Sequence, residues 1–148
     1  MTDEVVTARL EVDGSGLWPH HDGPSSGLYV MVAANGRSAK VGALERVDRA
    51  DGRLREVERK QRTRVDDPST FPMRLAVVIE LVGLYVNGAD GDEMWAITTH
   101  LESALRFVLA RRTGRLAAWA DWIHVDVPLS SSEWLAAVET AWAEVVVL

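Results

Sequence analysis

The chain has 148 residues, a formal net charge of −6 and no cysteine. That length suits one domain with a buried core, and the missing thiols exclude disulfides, thiolate metal sites and cysteine nucleophiles. No apolar run is long enough to span a membrane, and the N-terminal MTDEVVTARL lacks the basic-then-apolar order of a signal peptide, which predicts a cytoplasmic protein with no membrane partner.

Residues 4–12 alternate Val6, Ala8, Leu10 and Val12 against Thr7, Arg9 and Glu11, the pattern of a half-buried strand. Residues 13–27, DGSGLWPHHDGPSSG, read as a long loop carrying His20, His21 and Asp22. Adjacent histidines point in different directions and no second cluster supplies further ligands, so this loop predicts no metal site.

Gly27 to Gly42, GLYVMVAANGRSAKVG, reads as a β-hairpin. Asn35-Gly36 is a strong turn signal, and as the centre of a two-residue type I′ turn it sets the register. Met31 then faces Lys40, and Tyr29 faces Gly42. Side chains alternate across a strand, so Tyr29, Met31, Lys40 and Gly42 share one face. Lys40 is the diagonal neighbour of Tyr29, about 7–8 Å away. A phenol and an ammonium stand side by side over a residue with no side chain.

The next segment, LERVDRADGRLREVERKQR, carries Leu44, Val47, Leu54 and Val57 as a narrow helical stripe, with Asp48 or Asp51 as the expected cap. Eight of the sixteen Lys and Arg residues lie between Arg46 and Arg64, against four acids. Arg46, Arg49 and Arg53 fall on one face of a continuous helix, and Glu56 pairs with Lys60. Such a local excess can grip phosphates on an acidic protein. Met73 to Val82 is apolar apart from Arg74 and Glu80 and predicts a central strand covered on both faces. NGADGD at 87–92 predicts a turn, with Asp92 capping a helix over 93–112. Its stripe is Met94, Ile97, Leu101, Ala104, Leu105, Val108 and Leu109, and Gly114 is its expected stop. Asp121 to Val127 alternates as another strand, and Ser130 with Glu133 forms a capping box for a last helix with Leu135, Val138, Trp142 and Val145 as its stripe. Trp119, Trp122, Trp134 and Trp142 crowd this end and predict core or a homodimer contact.

The order β-ββ-α-β-α-β-α predicts a single α/β (α+β) domain over 1–148. A small central sheet with an N-terminal β-hairpin is flanked by helices. The core spans about 27–127, with a strand and loop over 1–26 and a helix over 130–148.

The hairpin and the segments after it resemble the GIY-YIG nuclease superfamily. Gly27-Leu28-Tyr29 matches the first tripeptide, and Lys40-Val41-Gly42 the second, with Lys where most members carry Tyr. Arg53-Leu54 resembles the Arg-Leu step of the helix after the hairpin, with Arg49 as the alternative, and Glu102 in HLESALR resembles the metal-binding Glu of the later helix. The resemblance covers about residues 27–112. It implies a DNA endonuclease that hydrolyses phosphodiesters with Mg²⁺ or Mn²⁺. Tyr29 would be the general base, Lys40 the charge that favours its phenolate, Arg53 the grip on the phosphate, and Glu102 the metal ligand. Arg46, Arg49, Arg53 and Lys60 would bind the DNA backbone. The superfamily's Asn after the Glu helix has no counterpart, since the chain's asparagines are Asn35 and Asn87. That departure, the Lys in the second tripeptide and the net acidity favour the alternative, an eroded module of the same fold that binds nucleic acid or a protein, whereas the ordered set Tyr29, Lys40, Arg53 and Glu102 favours the endonuclease, which is the first expectation.

Overall fold

In the computed structural model, residues 4–11, 26–82, 91–116 and 122–146 are described. The loop with His20, His21 and Asp22, and Trp119, lie outside them. The elements are β1 (Val6–Glu11), β2 (Gly27–Val32), β3 (Ser38–Leu44), α1 (Ala50–Gln61), β4 (Arg74–Val82), α2 (Gly91–Thr113), β5 (Arg115–Leu116), β6 (Trp122–His124) and α3 (Ser131–Val146). The six strands form one mixed sheet in the order β1-β4-β2-β3-β6-β5. The β1–β4 pair is parallel and every other pair is antiparallel. The protein is therefore a mixed α/β fold of the α+β kind. Among the described residues no helix is long and apolar enough to cross a membrane.

The hairpin has the expected register, with Tyr29 opposite Gly42 and Met31 opposite Lys40. Its connection differs from expectation. The β-turn runs over Ala33–Gly36, closed by Gly36 N–H donating to the Ala33 carbonyl at 2.9 Å. Ala34 and Asn35 are its central residues, and Gly36 follows at φ +72°, a conformation that favours glycine. Ala33 N–H still donates to the Ser38 carbonyl at 2.8 Å, so the ladder continues one pair beyond the strands and the register is unchanged. Asn35 uses its side chain instead, accepting from Arg37 N–H at 2.8 Å.

The sheet separates two apolar layers. On one face, Leu28, Val30, Val41, Val77 and Ile79 pack with Leu105 and Leu109 of α2 and Trp134, Val138 and Trp142 of α3. On the other, Tyr29, Met31, Leu44, Leu75 and Trp122 pack with Ala50 and Val57 of α1. Opposite faces of β2 thus serve opposite layers, as strand alternation requires. β4 manages the same with a bulge. Val30 pairs with Val77 and Met31 with Leu75, so Ala76 is an extra residue in the ladder. Ala76 and Val77 both join the α2–α3 layer, and Leu75 returns to the α1 layer.

Several sequence expectations shift locally. A 3-10 turn over Val47–Arg49 precedes α1, whose N-cap is Arg49 with no side-chain cap bond, so neither Asp48 nor Asp51 caps it. Asp48 is drawn away by Arg46 instead. α2 begins at Gly91, which places Asp92 inside the helix rather than before it. Ile97 is 38 % exposed and Thr98 is buried in its place. The last strand is three residues, and β5, too short to show a period, pairs with it. The capping box forms: Ser130 N–H donates to Glu133 Oε1 at 3.0 Å, and Glu133 N–H to Ser130 Oγ at 3.2 Å. The described tryptophans near the C-terminus, Trp122, Trp134 and Trp142, are core residues.

Candidate functional site

Tyr29 and Lys40 project from the same face of the hairpin, the face that α1 covers. The absent side chain at Gly42 makes room for the phenol: a Cβ there would overlap the Tyr29 hydroxyl and its ring. With that seat available, Tyr29 is 1 % exposed and packs into the α1 layer. Lys40 is half-buried and lies opposite Trp122 of β6.

Arg53 closes over this point from the first turns of α1. Burial lowers its guanidinium pKa, but the neighbouring Tyr29 hydroxyl, and then Glu56, outweigh that and hold it above the usual arginine value. Its Nη1 lies 3.0 Å from Glu56 Oε1, and the same oxygen receives Lys60 Nζ at 3.0 Å. The two cations hold the Glu56 carboxyl below the usual range, Lys60 contributing most. Arg46 precedes the helix in extended conformation and makes a two-pronged bond with Asp48, Nε to Oδ1 at 3.1 Å and Nη2 to Oδ2 at 2.9 Å. That pair raises the guanidinium's pKa and lowers the carboxyl's.

Arg46, Arg49 and Arg53 do share a surface, as their spacing implies. They line a cavity of about 640 Å³ with Arg55, and with four carboxylates, Glu45, Asp48, Asp51 and Glu56. The basic patch is thus matched charge for charge where the arginines converge, and Lys60 is committed to Glu56. A phosphate that takes Arg46 or Arg53 here must displace Asp48 or Glu56.

Glu102 bonds to neighbours on its own helix. Its Oε1 accepts from Arg106 Nη1 at 3.0 Å, one turn on, and its Oε2 from Ser103 Oγ at 3.3 Å. The buried stripe of its helix belongs to the α2–α3 layer, opposite Tyr29. The start of that helix nevertheless reaches the arginine cavity, because Trp95 lines it beside Leu44 and Arg53. Trp95 and Glu102 are seven residues apart, nearly two turns, so they project from the same side of α2. The spacing of Trp95 from the hairpin carries no sequence signal for this contact.

As a metal ligand Glu102 fits poorly in this arrangement. Both its oxygens are engaged, one by a cation. Among the described residues no group of three or more His, Cys, Asp or Glu side chains converges. The structure thus brings Tyr29 and Arg53 together, puts Lys40 on their face, pairs Arg46 with Asp48 and Lys60 with Glu56, sets Arg49 on the same cavity, and ties Glu102 to Arg106. Comparison with family models, with curated proteins and with solved structures returns no match to this chain.

Proposed function

We propose that the α1 face of the hairpin is a phosphodiester site and that the domain cleaves nucleic acid there. The observation that supports this reading is the Tyr29–Arg53 contact over Gly42: a hydroxyl that can take a proton, seated against a cation that can hold a phosphate. Hydrolysis of a phosphodiester needs a base for the attacking water and positive charge where the transition state gathers negative charge. Arg53 presents a planar fork suited to phosphate oxygens. Released from Glu56, it holds the phosphate, and Tyr29 beneath it accepts the proton from water. Cations near a phenol favour its ionised form, so Arg53 as well as Lys40 activates Tyr29. Lys40, on the same face, adds charge for the departing oxygen. Magnesium or manganese would supply Lewis-acid chemistry to such a hydrolysis. Here Glu102 would hold such an ion only after giving up Arg106, and no step is assigned to it.

A second reading is that the site holds a phosphate of nucleic acid, or an acidic segment of a protein, without cleaving. The observation favouring it is burial: at 1 % exposure the Tyr29 side chain is shut off from solvent within the α1 layer. One experiment separates them. Supercoiled plasmid and a labelled oligonucleotide are incubated with the wild-type chain, Tyr29→Phe and Arg53→Gln, with magnesium, with manganese and with chelator. Nicking by wild type that Tyr29→Phe abolishes supports the hydrolase. Retained binding with no nicking under every condition supports the binding module, and absence of both removes nucleic acid as the target.

A further inference from the structure

A second cavity, of about 720 Å³, opens on the same layer beyond the C-terminal end of α1. Its size is that of a small-molecule site, about 300–1,000 Å³. Three of the side chains lining it are more than nine-tenths buried: Gln61 at 7 % exposure, Thr70 at 5 % and Trp122 at 6 %. Among the described residues, the Gln61 carboxamide, the Thr70 hydroxyl and the Trp122 indole N–H have no hydrogen-bond partner. Groups that the fold leaves open toward a cavity are completed by what fills it, water or ligand.

Ser38 and His124 stand on the sheet side of the cavity. Ser38 Oγ lies 2.8 Å from His124 Nδ1, a hydrogen bond that engages that nitrogen in either tautomer. Arg64 stands exposed at the mouth with no partner among the described residues. The set is therefore an aromatic wall, a carboxamide that donates and accepts, a hydroxyl, an imidazole nitrogen, a peripheral cation, and the carboxylates of Asp66 and Asp67, which accept from N–H donors on a ligand's edge. A planar heterocycle with mixed donors and acceptors along its edge satisfies all of these at once. An aliphatic ligand leaves the amide and the indole N–H unpaired, which costs binding. The cavity also sits where a nucleic-acid strand would pass. Gln61 comes eight residues after Arg53 on the same helix, about 12 Å along its axis, and Trp122 lies opposite Lys40 in the ladder.

We infer that this cavity is a nucleobase pocket that takes one unstacked purine or pyrimidine, with Gln61 reading its hydrogen-bonding edge and Trp122 as its aromatic wall. The choice of ligand rests on the proposal that the domain acts on nucleic acid; the built pocket does not. The base comes either from a free mononucleotide or from a residue of a single strand drawn out of its stack.

The test titrates the full chain with the four deoxynucleoside monophosphates, with a short single-stranded oligonucleotide, and with the same oligonucleotide carrying an abasic position, monitored by calorimetry and tryptophan fluorescence. Saturable binding is expected, weakened roughly tenfold by Gln61→Leu, with a changed preference among the four bases. Trp122→Phe keeps an apolar wall and removes the N–H, and should weaken binding as well; Thr70→Val serves if either variant fails to melt cooperatively. An oligonucleotide that binds more tightly than mononucleotides, and loses that gain when abasic, identifies a strand as the source. Equal affinities identify free nucleotide. The pocket is refuted if no nucleotide saturates the chain at millimolar concentration, or if binding is untouched by all three variants. Wild-type nicking separates the two proposals: saturable mononucleotide binding by a wild-type chain that never nicks plasmid under any metal condition keeps the pocket and removes the hydrolase. Plasmid nicking that persists when no base binds does the reverse.

Discussion

The Tyr29 phenol occupies the space that a side chain at Gly42 would need. The two residues are direct cross-strand partners, so the overlap cannot be relieved by a change of rotamer at residue 42. Gly42→Ala must push the ring toward Arg53 or shift the strands. Overpacking of this kind typically costs about 1–3 kcal/mol. Urea denaturation should show that loss, and the candidate site should lose binding and cleavage together. A Gly42→Ala chain as stable as wild type would show that the phenol has another seat.

Lys40→Met removes a charge from the Tyr29 face and keeps most of the stem. If Lys40 helps ionise Tyr29 and supports the departing oxygen, cleavage should slow by roughly 10²–10⁴-fold, the usual span for lost acid–base assistance. The rising limb of the rate profile should move to higher pH, because the phenol then ionises later. Binding of oligonucleotide should change little. A wild-type rate with an unmoved profile would leave Arg53 as the cation that matters.

Changing Arg46, Arg49 and Arg53 together to Gln tests the arginine cavity as a phosphate grip. Each lost phosphate contact should flatten the dependence of log affinity on log salt by about 0.9 for duplex DNA. Because Arg46 and Arg53 are already engaged by Asp48 and Glu56, Asp48→Asn and Glu56→Gln should have the opposite effect and tighten binding. Filter binding across a salt series checks both directions, and acid-to-amide variants that bind no better than wild type would mean the carboxylates do not compete with phosphate.

The capping box gives a prediction on stability. Ser130→Ala should cost about 1 kcal/mol, within a usual range of about 0.5–2. The Ser130 amide, and then its hydroxyl, hold the Glu133 carboxyl below the usual glutamate value. A lowered carboxyl stabilises the fold fully above the unfolded pKa of about 4.3 and loses that contribution as pH falls through the folded value. Thermal midpoints of wild type and Glu133→Gln should differ by a constant amount at neutral pH and converge in acid. A gap that persists at the acid end would assign the effect to something other than the ionised box.

What the sequence made legible was what local periodicity and parity control. The pairing of Tyr29 with Gly42 came from Asn35-Gly36 because a two-residue connection and the observed four-residue one share the same register. The turn itself was misplaced by one residue, since the Asn35 side chain takes the Arg37 amide and leaves the positive φ to Gly36 alone. The Glu56–Lys60 pair was legible as an i,i+4 spacing, and so was the capping box. The closing of Arg53 over Tyr29 was not, because it depends on how α1 sits on the sheet. The second cavity was wholly hidden: its walls come from β3, the end of α1, the segment after it and β6, elements that no window of sequence joins. Thr98 in place of Ile97 shows the same limit, since a stripe fixes a helix's apolar side only to within a residue.

The bulge at Ala76 divides this part of the chain into two constituencies. Val77, Ile79 and Leu81 answer to the large layer of α2 and α3, while Met73 and Leu75 answer to the smaller layer under α1. Damage in the two halves should therefore be read out differently. A truncation at Ile79 strikes the main core and lowers global stability, whereas one at Leu75 loosens the seat of α1. Because the smaller layer holds fewer buried groups, α1 should open as a unit of its own, below the free energy of full unfolding. Hydrogen exchange would show α1 amides exchanging faster than those of α2 and α3, and faster still in Leu75→Ala. Access to the buried Tyr29 would then be set by the hinge between these compartments and not by the sheet.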